Sequence, residues 1–199
     1  MQLNTNVWFP SIIWITDLPD LPDFEKNMML EIKNYIQFIH EKDKDGRKIS
    51  NFGGWQSKSF RSFPVELSKL KIIVEKAVLS ASDSIDLPKL MLQSMWFNIN
   101  SYGDYNTKHI HGGSLISAVF YVDVPDNNMG NINFHRGDSA DFFIPSDLKK
   151  YNNITCNKAA YEPISGRLIL FPSWLEHSVD GCRSNKKRIS IAFNYGLSK

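Results

Sequence analysis

From residue 91 onward the chain is a series of short apolar and β-branched runs: MLQSMWFNINSY (91–102), HIH (109–111), LISAVFYVDV (115–124), NINFHR (131–136), KAAYEP (158–163), RLILF (167–171), EHSV (176–179) and RISIAFNY (188–195). Gly, Pro, Asn and Asp separate them, and most joints are too short to hold a crossover helix, so neighbouring runs must pair antiparallel. About eight such strands manage their edges by closing into a barrel or by folding as a double-sheet jelly roll. The one longer polar joint, 137–153, reads as a mobile loop near the barrel mouth.

The first 88 residues read differently. VWFPSIIWIT (7–16) predicts a strand, and the segment from Asp17 to Lys42 a capped helix. Asp20 and Asp23 suit its start, and Phe24, Met28, Ile32, Tyr35, Ile36 and Ile39 recur near a 3.6-residue period. KDGRK (44–48) makes a turn. A second helix is expected over about 64–82, with Leu67, Leu70, Ile73, Val74, Ala77 and Val78 as its buried stripe. Between the helices, SNFGGWQSKSF (50–60) carries paired glycines that permit positive φ and close backbone approach. The expectation is one mainly β domain over 1–199, with a strand and supporting helices to residue 88 and a jelly-roll core over 89–199.

Composition excludes several classes of function. A net charge of +2, with scattered lysines, does not suggest nucleic-acid binding by bulk charge, although a nucleic acid remains open as a substrate. The apolar stretch VWFPSIIWI is interrupted by proline and too short to cross a bilayer, and MQLNTN is not the basic segment of a secretory signal. Cys156 and Cys182 have no CxxC spacing and imply no disulfide framework. A soluble cytoplasmic protein is expected, and assembly as a homodimer is left open.

The chemistry concentrates in the histidines. In an extended segment His109 and His111 share one face while Ile110 points the other way, so two imidazoles can converge on one metal ion. A third ligand is needed, and His177, which begins the strand after the turn that follows RLILF, is the best placed. His40 ends an amphipathic helix and His135 follows Phe134 near a strand end; both are weaker candidates. Taken alone, His177 is as readily a hydrogen-bonded structural residue.

Arg188 follows on the last strand, with Ser190 on the same face. Its guanidinium cannot discharge itself by losing a proton, so a position inside a barrel calls for an anionic partner such as a carboxylate. Alternatively it belongs to the solvated run SNKKR, and position alone gives that reading nearly equal weight. Asn98, Asn100 and Tyr102 alternate with apolar residues on the first barrel strand. They form either its solvent side or a row of ligand donors.

With these features the chain resembles the Fe(II)/2-oxoglutarate-dependent dioxygenases, especially a branch of small proteins from microbes and their viruses with HxH in place of HxD. The resemblance runs over most of the chain and rests on SNFGGWQS (50–57), WFNINSYGDYNTKHIHGGSLISAVFYVDVP (96–125), GRLILFPSWLEHSV (166–179) and RISIAFNYG (188–196). It implies a double-stranded β-helix, a cupin-like jelly roll with the metal at its open end. It also implies Fe(II) as cofactor, held by His109, His111 and His177 as catalytic metal ligands, and 2-oxoglutarate and O2 as co-substrates. Arg188 and Ser190 match the R-x-S pattern that binds the distal carboxylate of 2-oxoglutarate, and Asn100 and Tyr102 match N-x-Y positions that touch it. The implied reaction hydroxylates an unidentified substrate and releases succinate and CO2. The usual second ligand is a carboxylate; were His111 not a ligand, Asp104 or Glu176 would be its nearest substitutes.

Three rivals share the pattern. A cupin of other activity is suggested by Gly103, followed by five residues and then the HxH, but no glutamate follows His111 at the expected distance. Three histidines could also hold a hydrolytic zinc, which gives Arg188 no task. A non-catalytic jelly-roll module would use Trp55, Trp96, Tyr105 and Trp174 as a binding surface, although isolated aromatics more often pack in cores. Within the dioxygenase reading, SNFGGWQS, with Trp55, and the 137–153 loop are the candidates for shaping the substrate pocket.

Overall fold

The computed structural model describes residues 3, 4, 6–18, 23–138, 144, 145 and 147–198, and of 23–26 the backbone alone. Asp20, the side chains of Asp23 and Phe24, and part of the 137–153 loop lie outside the described residues.

Two antiparallel sheets face one another. The strands in chain order are β1 (Trp14–Asp17), β2 (Asn51–Phe52), β3 (Trp55–Gln56), β4 (Met91–Asn100), β5 (Tyr105–His109), β6 (Ile116–Asp123), β7 (Ile132–His135), β8 (Lys158–Tyr161), β9 (Arg167–Pro172), β10 (His177–Val179) and β11 (Arg188–Gly196). The larger sheet runs β1-β9-β6-β11-β4-β3 and the smaller β2-β5-β10-β7-β8. Chain neighbours such as β4 and β5 sit in opposite sheets, which makes this a jelly roll rather than a meander.

The period of two assigns the faces of the larger sheet. On β11, Ile189, Ile191, Phe193 and Tyr195 join one core, as do Met95, Phe97 and Ile99 of β4 and Ile116, Ala118, Phe120 and Val122 of β6. That face is covered by helices α1 (Asp23–Lys42) and α2 (Ser68–Asp83), which bring Met28, Ile32 and Ile36, and Leu70, Val74, Val78 and Ala81. A single 3-10 turn, Val65–Leu67, precedes α2 and inserts Leu67. The opposite face carries the intervening residues, among them Trp96, Asn98, Asn100, Tyr121, Arg188 and Ser190. A second, smaller core lies between the sheets around Tyr121, Ile132, Phe134, Ile169, Phe171 and Leu175.

Three local expectations change. The expected 7–16 strand is a strand only from Trp14: Phe9 has φ +56°, and Pro10 has no N–H for a ladder. The HIH run is not wholly extended, because β5 ends at His109 and His111 lies two residues beyond it. Strands β2 and β3 flank Gly53 and Gly54, and two-residue strands are too short to show any periodicity. Among the described residues no helix is long and apolar enough to cross a membrane.

Phe97 is fully buried, with its ring 5.9 Å from Tyr35 and 5.1 Å from Phe60. Truncating it should open a cavity between sheet and helices, so Phe97→Ala is expected to cost about 3–5 kcal/mol. Urea unfolding followed by tryptophan fluorescence measures this; a loss below about 1 kcal/mol would show that the helices do not depend on that face.

Candidate active site

The site begins with a strand register. Pairing of β10 with β5 sets His177 directly opposite His109, with both side chains turned between the sheets. His111 returns to the same point from the loop after β5, where its amide donates to the Ser173 carbonyl at 2.9 Å. The ring centroids stand 4.3 Å apart for His109 and His177, 5.0 Å for His111 and His177, and 5.1 Å for His109 and His111. One nitrogen from each ring lies within 4.8 Å of the other two. Two nitrogens bound to one ion at about 2.1 Å stand no more than about 4.2 Å apart, so small side-chain adjustments would be needed to bring the set onto a single ion.

Hydrogen bonds select the nitrogen that each ring offers. A carbonyl only accepts, so His109 Nδ1–H donates to Thr107 O at 2.7 Å and His177 Nδ1–H to Leu175 O at 2.9 Å. Their Nε2 lone pairs are thereby free to ligate. Burial pushes all three imidazoles towards the neutral form: His109 is shifted downward, His111 to about 4 and His177 to about 3, with charge on His109 disfavouring protonation of the other two. Neutral imidazole is the form that binds metal.

Below the histidines is a cavity of about 70 Å³, lined by Trp96, Asn98, Asn100, Tyr121, Arg188 and Ser190 among others. Arg188 lines it and is 2% exposed. Nη1 donates to the carbonyls of Met129 (2.8 Å) and Gly130 (2.7 Å), and Nη2 to Asn100 Oδ1 (3.0 Å). All three partners are neutral oxygens, and Nε is buried with no partner. Desolvation pulls its pKa below the ordinary value, yet a guanidinium remains charged in proteins. The register that pairs Arg188 with Asn100 and Ser190 with Asn98 sets all four on the cavity wall.

Other residues singled out in the sequence go elsewhere. Tyr102 stands beyond the end of β4, 67% exposed, against a separate surface depression with Cys182 and Arg183. Asp104 accepts from the Ser101 amide at 2.6 Å, and Glu176 pairs with Lys108 at 2.8 Å; neither joins the histidine cluster. Trp55 is a core residue whose Nε1 donates to Asp43 O at 2.6 Å and whose ring packs on His40, so it does not line the cavity. His135 bonds Ser178 Oγ, Tyr105 stacks on Phe52, and Trp174 is largely exposed.

Sequence reading missed Tyr121. It is buried on the cavity wall, its pKa raised by burial and opposed by the charge of Arg188. LISAVFYVDV is apolar on both faces, so no alternation distinguished its inward residues. Ser50 and Asn106 also line the cavity, through pairing of the short β2 with β5.

Three neutral imidazole donors beside a buried cation with an unpartnered Nε fit a divalent metal together with a small dicarboxylate. The comparisons point to the same pair of cofactors. A family model described as "Putative 2OG-Fe(II) oxygenase" matches residues 94–194, just over half of the chain. Among solved structures, a Pseudomonas putida prolyl-4-hydroxylase is 12% identical, covering 95% of this chain and 94% of its own, with a TM-score of 0.66. HygX from Streptomyces hygroscopicus, solved with nickel, 2-oxoglutarate and hygromycin B bound, is 11% identical over 94% and 84% of the two chains, TM-score 0.62. The viral collagen prolyl hydroxylase of Paramecium Bursaria Chlorella virus-1, in its 2-oxoglutarate complex, is 15% identical over 93% and 96%, TM-score 0.57. No curated protein matches the chain by sequence. The likeness to these structures carries the fold, and the family match carries the identity: the chain belongs to the 2OG-Fe(II) oxygenase family.

Proposed function

We propose that His109, His111 and His177 hold the iron, that Arg188 anchors the distal carboxylate of 2-oxoglutarate, and that the chain hydroxylates a substrate presented at the cavity mouth. The observation that carries this reading is Arg188: a buried cation with neutral partners and a spare Nε–H, in the same small cavity as three convergent imidazoles. Bound there, iron supplies the coupled chemistry in which 2-oxoglutarate is decarboxylated to succinate and O2 oxidises a substrate C–H bond.

The chain's own residues do the positioning. With Nη1 occupied by two carbonyls, Arg188 has Nε–H and the remaining Nη2–H to offer a carboxylate, and Tyr121 and Ser190 stand beside it as further hydroxyl donors. Three neutral ligands add no negative charge to the site, which favours a dianionic chelator over a neutral one. Trp96 packs 5.6 Å from the His111 ring and limits water there. The free thiols Cys156 and Cys182 suit a reducing compartment, and this reading assigns the protein to the cytoplasm.

Two outcomes test it. Anaerobic addition of Fe(II) and 2-oxoglutarate is expected to give a visible metal-to-ligand charge-transfer band. Arg188→Ala should raise the 2-oxoglutarate concentration needed to develop that band about a hundredfold, near 3 kcal/mol. Unchanged co-substrate affinity in that variant would remove Arg188 from the role.

The imidazole shifts set a pH dependence. An unfolded histidine titrates near 6.5, whereas folded His111 and His177 do so near 4 and 3. Below pH 6.5 the unfolded chain therefore takes up protons that the folded chain refuses, so stability present above 6.5 is lost as pH falls towards 3. His111→Asn should recover on the order of 1–2 kcal/mol of the metal-free protein's loss between pH 7 and pH 5. Thermal unfolding at the two pH values measures it, and an identical pH dependence in the variant would contradict the burial of a neutral imidazole.

A further inference from the structure

The motif SNFGGWQS forms the short β2–β3 turn, and its internal bonds are tight. Asn51 Nδ2 donates to the Gly54 carbonyl at 2.6 Å and to the Arg47 carbonyl at 3.1 Å, while its Oδ1 accepts from the Ile49 amide at 3.0 Å. Beyond the turn, Trp55 and Gln56 pair with Ile99 and Asn98 of β4, which presses the glycines onto the end of that strand. Gly53 has φ +79°, a conformation that favours glycine in any surroundings. Gly54 has no such angle and must be explained by what it touches. A Cβ there would lie 2.5 Å from Asn100 Nδ2 and 3.2 Å from the Ile99 carbonyl.

Asn100 is 3% exposed, and its carboxamide has a set orientation. Arg188 offers only donors, so the amide oxygen must face Nη2 and the amide nitrogen is turned to Gly54. A methyl group at 54 would displace that nitrogen by on the order of 1 Å, given ordinary contact distances. The Asn51 bond and the β3–β4 pairing hold the backbone of the turn in place, so the amide must yield and lose its grip on Arg188. We propose that Gly54 is a positioning residue for the co-substrate anchor: its missing side chain lets the Asn100 carboxamide hold the Arg188 guanidinium in its carboxylate-binding orientation. This rests on the reading that Arg188 binds 2-oxoglutarate.

The test is calorimetric titration of 2-oxoglutarate into the nickel-loaded protein, for wild type, Gly54→Ala, Asn100→Ala and the double variant, with nickel affinity measured alongside. Gly54→Ala is expected to weaken 2-oxoglutarate binding about tenfold, the value of one hydrogen bond to a charged group. Nickel affinity should change by less than about twofold, and in the Asn100→Ala background Gly54→Ala should add less than about twofold to the loss. Unchanged 2-oxoglutarate affinity in Gly54→Ala, a parallel loss of nickel binding, or losses that multiply in the double variant would each overturn the proposal. If Gly54→Ala fails to fold, a folded double variant supports the clash with Asn100, and an unfolded one assigns the glycine to the Ile99 carbonyl and overturns it. Wild type that binds nickel but no 2-oxoglutarate overturns the underlying reading of Arg188, an outcome distinct from normal binding by both proteins.

Discussion

The rest of the site is arranged around the burial of Arg188. A guanidinium withdrawn from water costs several kcal/mol unless its donors find acceptors, and this one is held from two directions. The carbonyls of Met129 and Gly130, just before β7, take Nη1, and Asn100, opposite it across the β4–β11 ladder, takes Nη2. Every one of those acceptors is neutral, so the partners that orient the positive charge do not themselves cancel it. The cavity that Arg188 lines is also lined by the three imidazoles.

A polar cavity between two sheets weakens the contact between them, and the fold offsets this on its other side. The face of the larger sheet turned away from the site carries Phe97, Phe120, Ile191 and Phe193 against α1 and α2, in the larger of the two apolar clusters. Apolar burial, at roughly 25 cal/mol per Å², makes that layer a source of stability independent of the site. The inner face is thereby freed for Asn98, Asn100, Ser190 and Arg188. The same strands serve both ends because a period of two separates them completely.

The jelly roll was legible because seven of the eight runs read after residue 88 coincide with a strand to within a residue or two, whereas the HIH run supplies only the last residue of β5, His109. The two helices were legible from their stripes. The histidine cluster was legible as a set, since HxH and a histidine opening a later strand rarely meet by chance in a chain with five histidines. Tyr102 illustrates the limit. Alternation continued it from Asn98 and Asn100 onto the inner face, but the strand ends at Asn100 and the following turn sends Tyr102 to solvent. For Trp55 the sequence offered both a pocket-shaping and a packing role, and the structure has its indole taken up by His40 and Asp43.

By itself the sequence determined which residues could face one another across a strand, because side-chain alternation is a local property of extended backbone. It also determined the chemistry available, three imidazoles and one guanidinium, through residue type alone. Only the tertiary structure decided that His109 stands opposite His177, that His111 reaches the same point from a loop, and that Arg188 is inside rather than part of a solvated basic run. Those outcomes depend on register between strands separated by dozens of residues, and register is set by how two faces of a sheet pack at once. No window of sequence contains that information.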